Sequence, residues 1–194
     1  MTKKRALAAI LVLAIGLANG ASTAWAQQFS LGRFPSSAPL IEAIRNGAPE
    51  QAKAVLLDGA SPNARMSDDT PVLVFAADQG QTEIVQTLLD SGANPNLARK
   101  DGRTALHLAA SRGEAEVVSA LLQKKAHTDL MDRQGRTPLS LAAEAGAADC
   151  VKLLLAAHAD TQRADYSGRT PLDWAKDSRK PAVVQMLQAA QAKP

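Results

Sequence analysis

The sequence predicts an all-α repeat solenoid, and three observations carry that expectation. The first is a block that returns. Asp101-Gly102-Arg103-Thr104-Ala105-Leu106-His107-Leu108-Ala109-Ala110, followed by Gly113, Val117-Val118, Leu121-Leu122 and Ala126, recurs 33 residues later. There it reads Gly135-Arg136-Thr137-Pro138-Leu139-Ser140-Leu141-Ala142-Ala143, then Gly146, Val151, Leu154-Leu155 and Ala159. The second is that the phase extends both ways, to Gly168-Arg169-Thr170-Pro171-Leu172 downstream and to Thr70-Pro71-Val72, Ala76-Ala77, Gly80, Ile84-Val85 and Leu88-Leu89 upstream. The third is that apolar residues inside each block fall at helical spacing, divided by a glycine into two short helices. Self-similarity at such a period means stacked units, each burying its apolar face against the next.

The elements follow in order. Lys3, Lys4 and Arg5 precede an apolar run from Ala6 to Ala18, and small residues lead to Ala24-Trp25-Ala26. A basic head, an apolar run and an A-x-A site predict a secretory signal peptide over 1–26, cleaved after Ala26. The run is short for ~30 Å of hydrocarbon, which argues against a retained anchor, and no Cys near the site suggests a lipid anchor. Residues 27–37, with Phe29, Leu31 and Phe34, read as an extended lead-in that docks Phe34 on the first repeat. Five units then fill 38–66, 67–99, 100–132, 133–165 and 166–194. The first and last are degenerate, as terminal repeats with one wet face should be.

Within a unit, Thr104, Thr137 and Thr170 suit the N-cap, and Pro138 and Pro171 the first helical turn. Small residues along the first helix permit close packing, while Gly80, Gly113 and Gly146 fit a left-handed C-cap. Gly92 ends a second helix, and Asn94-Pro95-Asn96 supplies a turn. Extended residues before the next Gly-Arg-Thr then form a protruding hairpin finger. Two departures stand out. Asp68 replaces the finger glycine of the second unit, and Lys125 and His158 replace Gly59 and Gly92, predicting left-handed backbone at those two side chains.

Thr104-Ala105-Leu106-His107-Leu108-Ala109, with Thr137-Pro138-Leu139 and Thr170-Pro171-Leu172, carries a T-P-L-H-x-A core, and the chain resembles the ankyrin repeat family over nearly all of the mature sequence. The resemblance implies that His107 hydrogen-bonds between helix start and finger, and that a protein partner meets the finger tips and the exposed, concave side of the first helices. Carried onto this chain, that surface includes Lys100, Arg103, Arg112, Arg133, Arg136, Tyr166 and Arg169. Arg103, Arg136 and Arg169 share one phase and predict a column spanning roughly 20 Å. Asp101, Asp132 and Asp165 stand close enough in sequence to neutralise it locally. Tyr166 is the best single anchor, since Tyr and Arg are enriched at interface hot spots.

Charge and chemistry narrow the classes. The leader holds three of the 22 basic residues and none of the 19 acidic ones, leaving the mature chain at 19 against 19. Neutrality argues against nucleic acid or a membrane as partner. Cys150 is the single cysteine; it shares the column of Ile84 and Val117 and reads as a small buried hydrophobe. His127 and His158 are not equivalent positions and lack the convergent ligands of a metal site. Ser140 sits in the His107 column, Trp174 in the Phe75, Leu108 and Leu141 column as apolar filler, and Asp173 and Asp177 on one face of a terminal helix. No catalytic motif is present. The expectation is therefore a monomeric, cofactor-free, non-enzymatic module in the periplasm of a Gram-negative bacterium, holding one protein partner. That partner is an enzyme it supports or a toxic effector it neutralises. A stress-protective protein near peroxide-detoxifying enzymes is the second class. A haem or small-ligand carrier using His127 or His158 is the third.

Overall fold

The structure is a computed structural model that describes residues 37–192. The expected leader, its cleavage site and the lead-in up to residue 36 lie outside them. Among the described residues ten helices follow one another in pairs: α1 (Ala38–Arg45) and α2 (Pro49–Leu57), α3 (Val72–Asp78) and α4 (Thr82–Asp90), α5 (Ala105–Arg112) and α6 (Ala115–Gln123), α7 (Pro138–Ala145) and α8 (Ala148–Ala156), α9 (Pro171–Asp177) and α10 (Pro181–Gln191). Odd-numbered helices stack on one another in one layer, and even-numbered helices stack in a second. The described residues form an all-helical repeat solenoid.

Packing explains the two layers. Ala76, Ala77, Ala109, Ala110, Ala142 and Ala143 are fully buried, so first helices approach along a row of methyl groups. The larger Leu88, Leu121 and Leu154 fill the space between second helices, each fully buried. Burying a side chain of that size stabilises by about 1.5–3 kcal/mol. Cys150 lies in the same seam with no exposure, and burial pushes its thiol up to about 11.

Helix ends follow the threonine and glycine signals. Thr137 accepts the Ser140 N–H at 3.2 Å, and Thr170 and Asp173 cap each other reciprocally. At Thr104 the capping partner is His107: its Nδ1 lies 3.2 Å from the Thr104 backbone nitrogen and 2.8 Å from Oγ1. Its Nε2 lies 3.2 Å from the Arg136 carbonyl oxygen of the next unit. Burial holds the imidazole down at about 4. Lys125 and His158 adopt φ of 61° and 60°, where Gly59 and Gly92 have 96° and 88°. Arg179, at φ 55°, stands in the first-helix column of Gly80, Gly113 and Gly146 and is a left-handed residue that the sequence did not announce.

A second set of contacts ties the turns that follow the second helices. Asn63 Oδ1 accepts the Asn94 N–H at 2.7 Å, Asn96 Oδ1 the His127 N–H at 2.8 Å, and Asp129 Oδ1 the Asp160 N–H at 2.9 Å. Each side chain thus reaches one unit forward, 31 residues along.

Candidate functional site

Each finger is a short loop closed by its own backbone. Arg99 N–H donates to Arg103 O at 3.0 Å, Asp132 N–H to Arg136 O at 2.9 Å, and Asp165 N–H to Arg169 O at 2.9 Å. The reversal needs one left-handed residue. Gly102, Gly135 and Gly168 provide it, and in the second finger the residue is Asp69 at φ 72°. Asp68, expected in that role, instead accepts the Thr70 N–H at 3.0 Å, and the true phase partner lies one residue on. Asp132 and Asp165 serve their fingers in the same manner: Asp132 Oδ1 accepts from the Gln134 and Arg136 amides, and Asp165 Oδ1 from those of Ser167 and Arg169. Consecutive fingers are also joined, Arg133 N–H to Asp101 O at 2.9 Å and Tyr166 N–H to Gln134 O at 3.1 Å.

The arginine column is engaged within the fold. Arg103 Nε donates to Asp132 Oδ2 at 3.3 Å. Arg136 is 12% exposed, with Nε 3.5 Å from the same oxygen and Nη1 3.1 Å from Glu144. Arg169 lies 3.4 Å from Asp177 and over the Trp174 ring, 4.8 Å from its centroid. The Arg136 guanidinium is 5.9 Å from that ring. Arg112 reaches back to Asp78 of the preceding unit at 3.1 Å. Each of these four cations from the sequence-derived set already faces a carboxylate.

Trp174 does more than fill space. Its Nε1–H donates to Asp165 Oδ2 at 2.9 Å, and its faces take two guanidinium groups. Burial works to raise the Asp165 carboxyl, but hydrogen bonds from Ser167, Arg169 and this indole outweigh it and hold the group below the usual carboxylate range. Asp165 therefore serves the indole where Asp132 serves two arginines. The positioning residues Asp132 and Asp165 could have been found from the sequence: Asp132-Arg133-Gln134-Gly135-Arg136 and Asp165-Tyr166-Ser167-Gly168-Arg169 share a D-x-x-G-R pattern that Asp101 does not.

The other three residues of the set are exposed. Lys100, Arg133 and Tyr166 occupy one phase at the tips of the third, fourth and fifth fingers. Neither cation makes an ion pair among the described residues, and Tyr166 is 74% exposed. His127 and His158 are exposed turn residues, and no group of three or more His, Cys, Asp or Glu among the described residues could hold a metal. No described helix is long and apolar enough to cross a membrane.

A family model described as ankyrin repeats (3 copies) matches residues 40–132, 73–165 and 125–194. Comparison with curated proteins gave no match.

Proposed function

The chain belongs to the ankyrin repeat family, and on that premise we propose that it is a non-catalytic module exported to the periplasm, where one protein partner binds across its finger tips and first-helix face. Ankyrin repeats generally mediate protein–protein interaction. The observation that carries the reading here is the contrast within the finger row. Hydrogen bonds between fingers and ion pairs beneath them hold the loops in register, while their tips face solvent. A preorganised edge of this kind loses little conformational entropy on binding. Export rests on the leader-like first 26 residues.

The test is site-specific photocrosslinking in periplasmic extract, with the crosslinker placed at Tyr166 or, as a control, at Lys152 on the exposed side of α8. One discrete adduct from position 166 and none from 152 is the expected result, on a protein whose measured mass begins at Gln27. Adducts from 152 alone would move the binding face to the second helices. A ladder of many adducts from 166 would favour a broad protective role over a single partner.

A further inference from the structure

Resting on the reading of the fingers as the binding face, we propose that the tips of the third to fifth fingers take an extended acidic segment of a protein partner. Two of its carboxylates meet Lys100 and Arg133, and an apolar side chain meets Tyr166.

The charge balance beneath the tips leads there. Residues 99–103 and 132–136 hold five basic side chains and two carboxylates. Asp101 is committed to Arg99, with Oδ2 2.8 Å from Nη2. Asp132 is committed to Arg103 and Arg136, and Glu144 to Arg136. With Glu144 included, the excess is two positive charges, and of these five cations Lys100 and Arg133 are the two that make no ion pair among the described residues. They stand on adjacent fingers, outermost and in phase. The frame has already taken Asp101, Asp132 and Glu144, so none of these three competes with an incoming anion. Asp68 feels Lys100, but its carboxyl is held down first by hydrogen bonds from Thr70 and least by Lys100.

Tyr166 completes the surface. A Cβ on Gly135 would stand 2.7 Å from Tyr166 Cδ1, so the ring lies directly against the glycine of the fourth finger. The absence of a side chain at Gly135 lets the ring lie on the fourth finger while leaving most of it open to solvent. A large amphipathic ring held this way loses few rotamers on binding.

Spacing and polarity then define the segment. Stacked helices lie about 8–10 Å apart, and an extended chain rises ~3.3 Å per residue. Carboxylates three residues apart therefore match successive tips, with the apolar residue three further on. In the second finger Asp69 is paired with Arg65 at 3.5 Å, and exposed Asp68 carries the charge that repels such a segment and directs its acidic end to the third and fourth fingers.

Fluorescein-labelled peptides of the patterns Glu-x-x-Glu-x-x-Phe, Lys-x-x-Lys-x-x-Phe and Ser-x-x-Ser-x-x-Phe, with Ser and Gly at x, test this by anisotropy and by amide chemical-shift mapping. The acidic peptide is expected to bind best, to weaken with added salt, and to shift amides of the third to fifth fingers. The double variant Lys100→Glu/Arg133→Glu should weaken it about tenfold and reverse the preference toward the lysine peptide; Tyr166→Ala should weaken all three. These are solvent-facing positions, and unchanged circular dichroism confirms that the variants fold. Tip-localised binding of the serine or lysine peptide in preference to the acidic one overturns the acidic partner and leaves the finger surface standing. Shifts confined to α4, α6 and α8 overturn both. No binding by the acidic peptide, or binding untouched by the double variant, overturns the inference.

Discussion

Replacing Lys125 with glycine should stabilise the protein. Lys125 follows α6 with φ 61°, in the column where Gly59 and Gly92 end α2 and α4. Its amide donates to Leu122 O and the next amide, of Ala126, to Leu121 O, both at 3.0 Å, so backbone bonds hold the left-handed residue in place. The side chain is exposed and makes no ion pair among the described residues. A Cβ added at the equivalent Gly92 would meet nothing within 4 Å, so the penalty is torsional rather than a clash. Left-handed backbone costs a non-glycine residue roughly 1–2 kcal/mol. Glycine gives back ~0.4–1 kcal/mol through the greater freedom of its unfolded chain. The balance is a gain of about 0.5–1 kcal/mol, or roughly 1–4 °C in Tm for a domain of this size. Thermal unfolding followed by circular dichroism measures it, with Gly92→Lys as the mirror experiment expected to lower Tm by a similar amount. A Tm for Lys125→Gly at or below the parent, with Gly92→Lys harmless, would refute the torsional account.

Three other outcomes follow from geometry. Gly135→Ala places a methyl group 2.8 Å from the Tyr166 amide nitrogen at φ 78°, whereas Gly168→Ala meets no atom within 4 Å at φ 83°. The first should cost at least ~2 kcal/mol and the second only the torsional ~1 kcal/mol, a difference that denaturant midpoints resolve. His107 is held at about 4 against an unfolded value of 6.5, so between those pH values the unfolded chain binds the extra proton. Stability should therefore fall as pH drops from 6.5 toward 4. Urea midpoints of His107→Gln should be flatter across that window, and an unchanged slope would remove His107 as the cause. Cys150, buried and pushed up to about 11, should resist Ellman's reagent at pH 8 until urea is added; rapid labelling of the folded protein would show that its seam opens.

Residue types legible in the sequence were those whose physics is local. Thr at a helix start, Gly at φ > 0 and Leu-Leu on one helical face each announce themselves within a few positions, and the 33-residue phase then places Lys125, His158 and Cys150 in their columns. Misreadings arose where a side chain acts across units. Arg136 looks like a surface cation in isolation, because nothing within its own unit shows that Trp174 of the next one covers it. Trp174 looks like filler because its indole partner, Asp165, lies at the foot of a finger rather than in a helix. The shift from Asp68 to Asp69 has a simpler origin, two adjacent aspartates competing for one left-handed position. The free tip residues Lys100, Arg133 and Tyr166 could be separated from the arginine column only after the ion pairs beneath them were known.

The forward-reaching carboxamides and carboxylate of Asn63, Asn96 and Asp129 carry a rule about how this molecule can change length. Each one grips the amide of the turn that comes after it, so each of the first three units is keyed to its successor by the same thread pitch. A whole unit copied between two others finds both of its keys waiting, and a whole unit removed leaves its neighbours able to engage. A fragment of a unit does neither, since it turns the following amide away from its acceptor. Growth and loss along this chain are thereby quantised, and the finger row lengthens or shortens by one tip at a time.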